Sequence, residues 1–228
     1  MQQHNHNNGI SIQVGLSGYS FRLKGGDPET SGWLSAERIF TTPQLQRRYS
    51  DVEISLFTPK VALVPVQFFA PENARAMLDE VVDLSDGDQV EYIHLEQMAS
   101  VMIFSNSIGE TLSRVISESV LRTDGTKARI LPEMYYMVSQ LNQLSEYNKV
   151  LASYMDGVLY LVIAQGKSLL LCNTYQAQDF TTAQYFIFLA MKKLQLNPEV
   201  STICFRTPLA EEDEMSLYRY FKSVEHIY

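Results

Sequence analysis

The chain has 228 residues, 46% of them hydrophobic and 19% charged, with a formal net charge of −8. That is globular usage with enough apolar residues for one large domain or two of roughly 110 residues, and it excludes a mainly disordered state. A negative balance without clustered Lys and Arg excludes a phosphate-backbone footprint, so no nucleic-acid partner is expected.

No apolar run approaches the ~18 residues of a membrane span. The opening Met1–Gly9 lacks the basic and apolar regions of a secretory leader. Only two cysteines occur, Cys172 and Cys204, both in apolar strand-like runs. A reducing cytoplasm is the expected compartment, with both thiols acting as small core hydrophobes; their two apolar runs could be neighbours in one sheet.

Residues 1–9 are polar and rich in Asn and His, which predicts a loose segment or short cap. Strand patterns follow at about 10–16, 18–24 and 33–40, with Gly25-Gly26-Asp27-Pro28 turning the chain before the third. Thr42-Pro43 opens a short helix to about Arg48, because proline is tolerated at the first helical position. Two strand-like runs, 51–58 and 61–66, precede Pro71. That proline starts a helix whose inward face is Ala74, Met77, Leu78, Val81 and Val82 at a 3.6-residue period. Asp86-Gly87-Asp88 turns the chain into strands 89–95 and 99–104. Ser107 with Glu110 forms a capping box for a helix carrying Leu112, Val115, Ile116 and Val120 inward.

A polar loop, 122–127, and a short strand, 128–131, lead to Pro132 and a helix presenting Met134, Val138, Leu141 and Leu144. This helix is expected to bridge two lobes. Strands near 149–155, 158–164 and 168–175 follow, and Thr181 with Gln184 reads as the cap of the next helix. That helix is apolar on more than one face until Lys192-Lys193, which predicts a sandwiched position. A strand at 200–205 and an amphipathic helix at 211–222 complete the chain. The order strand, strand, strand, helix, strand therefore occurs twice, over 10–58 and 149–206, each time opening on a Gly-containing hairpin.

The resulting expectation is an α+β or α/β fold of duplicated β-β-β-α-β-α plan, with mixed sheets flanked by helices. The first lobe, 10–131, carries inserted strands and helices. Residues 132–148 bridge to a second lobe, 149–228.

Chemistry-bearing motifs are sparse. There is no Gly-x-Ser-x-Gly elbow, no Walker loop and no zinc-spaced Cys/His set. Asp86-Gly87-Asp88 lacks the further ligands of a calcium loop and reads as a turn. His4 and His6 lie in the polar N-terminus, and His94 reads as a half-buried strand residue. Glu211–Glu214 opens a helix, where negative charge complements the dipole. The aromatic pairs Tyr135/Tyr136 and Tyr218/Tyr220, on helices that cannot bury both members, are the candidate protein interface. Their alternative is lobe–lobe packing within one chain.

The stretch Asp51–Phe69, with its Val64-Pro65 strand end, resembles a bacterial family known only as a domain of unknown function. So does Leu159–Phe188, with the Lys167–Tyr175 strand and the Asp179-Phe180 helix start. That family is similar in plan to the actin-like ATPase (ribonuclease H-like) superfamily. Nearer relatives there are the actin-like protein of type IV pilus assembly and the cytoplasmic domain of a type II secretion platform protein. The resemblance covers about residues 10–222 and implies two lobes around a nucleotide cleft.

In such a fold each lobe offers a hairpin whose backbone amides cradle phosphates, beside an Asp that anchors the magnesium shell. The corresponding candidates here are Gln13, Gly15, Ser17 and Gly18 in the first hairpin, and Asp156 and Gly157 in the second. Gln13 stands where the Asp would fall, and a neutral amide does not supply its charge. The second hairpin has one glycine where a phosphate loop wants several. No cofactor or metal is therefore expected, and the favoured function is a non-catalytic cytoplasmic scaffold with a protein partner or a second copy of itself. The alternative is a nucleotide-binding protein or weak ATPase using the inter-lobe cleft, with ATP and magnesium. A nuclease would need three or four converging carboxylates, and Glu53 is the only acidic residue inside the first lobe's core strands.

Overall fold

A computed structural model describes residues 8–25, 29–107 and 110–227, and of Glu110 only the backbone. Strands β1 (Gly9–Val14) and β2 (Gly18–Lys24) form a hairpin, followed by the two-residue β3 (Leu34–Ser35), two 3-10 turns and β4 (Asp51–Leu56). An insertion follows, made of β5 (Val61–Pro65), α1 (Ala74–Asp79), β6 (Val90–Leu95) and β7 (Ser100–Ser105). Then come α2 (Glu110–Ser119), β8 (Ile130–Pro132) and α3 (Glu133–Gln140). The second half runs β9 (Asn148–Met155), β10 (Val158–Gln165), β11 (Ser168–Gln176), α4 (Phe180–Lys193), β12 (Thr202–Phe205), α5 (Glu211–Leu217) and β13 (Ser223–His226).

Three sheets result. One has the order β3-β2-β1-β4-β8, the second β11-β10-β9-β12-β13, and the inserted one β5-β7-β6. Numbered within its own half, each five-stranded sheet is 3-2-1-4-5, with antiparallel hairpin pairs and parallel central pairs. The duplication is thus one of topology. A shared hydrogen bond fixes the equivalence: Phe57 N–H donates to Val14 O at 2.9 Å, and Arg206 N–H donates to Ala152 O at 3.0 Å. Phe57 and Arg206 therefore occupy matching positions just beyond the second parallel strand.

The two sheets differ in what their faces bury. On the first, Ile10, Ile12, Val14, Val52, Ile54 and Leu56 alternate onto one face and pack with Ile116 and Val120 around α2. The intervening Ser11, Gln13, Glu53 and Ser55 make the other face polar. The second sheet is buried on both sides. Val150, Ala152, Leu161 and Ile203 pack on Ala183, Ile187 and Met191 of α4. Leu151, Tyr160, Val162 and Cys204 pack on Met134, Met137 and Val138 of α3, where Met102 and Phe104 of the inserted sheet join them. Each fully buried Val, Leu, Ile, Phe or Met among them contributes on the order of 1.5–3 kcal/mol. A doubly covered sheet explains why the second half reads as near-continuous apolar runs.

Several expected elements are corrected. The strand at 33–40 is only β3, followed by a 3-10 turn from Ala36 to Thr41 in which Ile39 alone is buried. The Thr42–Arg48 helix is a 3-10 turn, Pro43–Gln46. Helix α1 stops at Asp79, so Val81 is exposed rather than inward. Helix α4 is capped by Asp179, whose carboxylate accepts Thr182 N–H at 2.7 Å, not by Thr181. Gln184 instead hydrogen-bonds Ser216. Helix α5 ends at Leu217, and 223–226 form the fifth strand of the second sheet. His94 is exposed, with its ring edge-on to Phe69 and Tyr92. His4 and His6, part of the Gly25–Pro28 turn and the Glu110 side of the capping box lie outside the described residues. Ser107 Oγ accepts Gln89 N–H at 3.0 Å.

Candidate functional site

The two glycine hairpins meet tip to tip. In the first, Gly15 N–H closes the turn onto Gly18 O at 2.9 Å. In the second, Asp156 (φ +51°) and Gly157 (φ +74°) both take the left-handed conformation that Asp-Gly hairpin turns require. Beyond the matched pair Ala152–Leu161, the second hairpin adds three further pairs, ending at Met155–Val158. The first hairpin ends at the equivalent pair, Val14–Tyr19. That extra length carries Asp156 across to the first turn.

There its Oδ2 accepts Leu16 N–H at 2.8 Å and its Oδ1 accepts the Ser17 hydroxyl at 3.3 Å. Trp33 Nε1–H donates to the same Ser17 Oγ at 3.2 Å. A Cβ on Gly15 would stand 2.6 Å from Asp156 Oδ2 and 3.0 Å from the Trp33 ring. One on Gly18 would stand 2.0 Å from Leu34 O. These glycines let a carboxylate, an indole and a backbone carbonyl approach closely. Two donors of the first turn, Leu16 N–H and the Ser17 hydroxyl, are engaged by Asp156.

Beneath the hairpins lies a buried polar cluster. Glu133, fully buried, is the first residue of α3, just after Pro132. Its Oε1 accepts Gln13 Nε2–H at 3.2 Å, Ser153 O–H at 2.8 Å and Arg206 Nε–H at 2.7 Å, and its Oε2 accepts the Ser55 hydroxyl. Gln13 Nε2 also donates to Arg206 O at 3.2 Å. The Arg206 guanidinium, only 2% exposed, lies 5.8 Å from the centre of the Tyr136 ring. Tyr136 O–H donates to Ile54 O at 3.3 Å, and burial together with the nearby Glu53 charge pushes its pKa well above the ordinary phenol range. Side chains from β1, β4, β9 and the residue just beyond β12 thus converge on one carboxylate of α3. A buried pair of this kind is worth little net, but loss of one partner costs about 3–5 kcal/mol.

This set does not fit a magnesium nucleotide. Gln13 spends its amide N–H groups on Glu133 and Arg206 O, and Glu133 is saturated by protein donors. Among the described residues no group of three or more His, Cys, Asp or Glu is placed to hold a metal ion. Glu133 and Arg206 were invisible to motif reading. Their only signal is a lone charge inside an apolar run, Leu-Pro-Glu-Met and Cys-Phe-Arg-Thr.

The aromatic candidates lie on different layers. Tyr135 and Tyr136 are half-buried, with rings 5.3 Å apart, on the α3 face of the second sheet. Tyr135 lines a groove of about 310 Å³ with His94, Leu95, Gln97, Met98 and Val138. Tyr218 and Tyr220 follow the end of α5 and are 46% and 52% exposed. Tyr218 O–H donates to Val224 O at 3.1 Å, and the Tyr220 ring stands edge-on to Phe188 at 5.0 Å. The cysteines are both free. Cys172 in β11 and Cys204 in β12 are separated by two strands, and burial pushes each thiol up to about 12. Among the described residues no helix is long and apolar enough to cross a membrane.

Solved structures share this fold at low sequence identity. A Bacteroides thetaiotaomicron protein with actin-like ATPase fold and unknown function superposes with a TM-score of 0.69 at 16% identity, over 100% of this chain and 94% of the other. The PilM–PilN type IV pilus biogenesis complex gives 0.55 at 13% identity, over 96% and 88%. The cytoplasmic domain of EpsL, an inner membrane component of the Vibrio cholerae type II secretion system, gives 0.50 at 12% identity, over 90% and 84%. No curated protein matches the sequence significantly. The two-lobed actin-like architecture is accordingly that of the chain, and a family model described as "Protein of unknown function (DUF3822)" matches residues 2–224, so the chain belongs to the DUF3822 family.

Proposed function

We propose that this protein is a non-catalytic actin-like scaffold that works in the cytoplasm through contacts with another protein. In this reading the lobes are residues 10–131 and 149–228, joined through 132–148. The observation that carries it is the Asp156 carboxylate on Leu16 N–H at 2.8 Å, above a cleft filled by Glu133 and Arg206. The hairpin that would hold a phosphate holds a side chain of the opposite lobe instead, which ties the lobes together. The Tyr135 groove, between the inserted sheet and α3, is the surface assigned to a partner, since half-buried Tyr and Met suit interfaces better than the acidic α5. A fold solved in complex with a protein, PilM with PilN, supports a protein partner for this one.

Magnesium ATP at millimolar concentration tests the reading through the melting temperature. A ligand at about one hundred times its Kd adds roughly 2.7 kcal/mol, an easily seen shift. No shift is expected. A clear nucleotide-dependent stabilisation would replace this reading with that of a nucleotide-binding protein or weak ATPase.

A further inference from the structure

Helices α4 and α5 lie side by side on the face of the second sheet opposite α3. They run in the same direction, since Gln184 hydrogen-bonds Ser216 and, one turn on, the Phe188 ring meets Tyr220 at 5.0 Å. The layer they form is charged at its two ends. Glu211 and Glu212, exposed beside Met215, stand at the start of α5. Lys192 and Lys193 close α4 at the far end, roughly 18 Å away at about 1.5 Å per helical residue. There Lys192 borders a groove of about 480 Å³ walled by Phe188, Met191, Leu196 and Pro198. Lys222, whose N–H donates to Pro198 O at 3.3 Å, adds charge to that end, and Glu199 subtracts some, which leaves it net positive. Among the described residues Glu211, Glu212, Lys192, Lys193 and Lys222 have no ion-pair partner. Between the two ends Tyr185, Met215 and Tyr220 are 60%, 59% and 52% exposed.

We propose that the α4–α5 layer is a contact between two copies of this chain. Helix dipoles account for the signs of the end charges, but not for two tyrosines and a methionine left in water between them. The acidic start of α5 suits few partner surfaces, yet the same layer carries its complement. A two-fold axis in the plane of the contact, at right angles to the line joining the ends, sets each acidic end on the other copy's basic end, and does so twice. Met215 then faces the groove beside Lys192 of the other copy, and the exposed rings meet around the axis. Two helices side by side over about 14 residues present roughly 20 by 20 Å, so the contact buries on the order of 1,000 Å² in total. That is the low end for specific association, so the dimer is weak, and its rim charges make it salt-dependent. The Tyr135 groove lies on the opposite face of the sheet, so a partner protein and a second copy fit at once.

Sedimentation velocity on the full chain from about 1 µM to about 1 mM, at low and at physiological salt, tests this. A reversible dimer is expected, populated at the upper end and weakened at least about threefold by the salt. Lys192→Glu/Lys193→Glu makes both ends of the layer negative, and Glu211→Lys/Glu212→Lys puts exposed positive charge at both. Each variant alone therefore associates at least about tenfold more weakly. Mixed one to one, the two variants pair with each other, since each end again meets its opposite. Met215→Ser, at a position already exposed, gives a loss of about tenfold that salt does not change, should a charge variant not fold. A chain that stays monomeric to about 1 mM leaves the layer to a different protein or to solvent and overturns the proposal. A dimer indifferent to these variants, or charge variants that fail to pair when mixed, overturns it as well.

Discussion

Asp156 and Leu16, 140 residues apart in sequence, are joined by a 2.8 Å hydrogen bond from the Leu16 backbone N–H to the Asp156 carboxylate. The contact exists because the second hairpin runs three residue pairs further toward its turn than the first and because its Asp-Gly turn aims the carboxylate forward. One residue thus serves both as turn former and as the clasp between hairpins.

Separate substitutions divide those two roles. Asp156→Ala loses the clasp and places a side chain poorly suited to φ +51°, so it should cost about 1–2 kcal/mol in chemical denaturation. Asp156→Gly loses the clasp but suits the turn, and should cost less. Asp156→Asn keeps an oxygen acceptor and tolerates the left-handed conformation, and should be mildest. Equal stability for all three and the wild type would show that the clasp contributes nothing.

The buried cluster predicts strong non-additivity. Glu133→Ala strands Arg206 and should cost roughly 3–5 kcal/mol, whereas Glu133→Gln retains acceptor and shape and should cost less. In Glu133→Met/Arg206→Met both charges are gone and the volume is kept, so most of the single-mutant loss should return. A double-mutant cycle in urea measures this. Additive losses would mean that the two residues act independently, contrary to their 2.7 Å contact.

Much of the fold could be read from local pattern. The hairpins of both halves announce themselves by alternating Ile, Val and Leu around Gly, and strands β9, β10 and β11 fall within a residue or so of their predicted ends. Strand β13 was hidden for a physical reason. Leu217, Phe221 and Val224, all buried, are spaced by four and three residues, so a chain that leaves α5 and turns into a strand mimics one continuous helix. Strand β3 was overread because Trp33–Phe40 looks apolar, although Phe40 is 74% exposed. The degenerate character of the hairpin at Gln13 could be seen from the missing carboxylate. That Gln13, Ser153 and Arg206 meet on Glu133 could not, since these partners lie 20 to 120 residues from it and nothing local marks a charge as buried.

Asp88 predicts a pH dependence of the inserted unit. Its carboxylate accepts Lys60 Nζ–H at 2.5 Å, Ser85 N–H at 2.7 Å and Ser105 O–H at 3.0 Å, and the Lys60 contact above all holds its pKa well below the usual range. A carboxylate with a depressed folded-state pKa adds stability that is fully present above its unfolded value, about 4, and is lost as pH falls below it. Asp88→Asn should cost on the order of 2–4 kcal/mol at pH 7 and lose that part of the slope between pH 4 and 2. Denaturant titrations at pH 7, 4 and 3 compare the two proteins, and parallel pH profiles would exclude the role.

The two thiols should be nearly inert in the folded protein. Burial pushes both Cys172 and Cys204 up to about 12, because each sits in a strand of the doubly covered sheet with apolar neighbours, and at Cys204 the charges of Glu225 and Glu146 add to the effect. Only the thiolate attacks a disulfide reagent. At pH 8 a thiol of this kind is ionised to about one part in ten thousand, against roughly a quarter for a free cysteine. Reaction with a chromogenic aromatic disulfide should therefore run on the order of a thousandfold slower in buffer than in denaturant, and both cysteines should appear together on unfolding. Cys172 is the sharper test, since it is partly exposed while Cys204 is buried. Labelling of Cys172 within seconds under native conditions would mean that edge strand β11 opens locally, and would mark it as the weakest part of the second sheet.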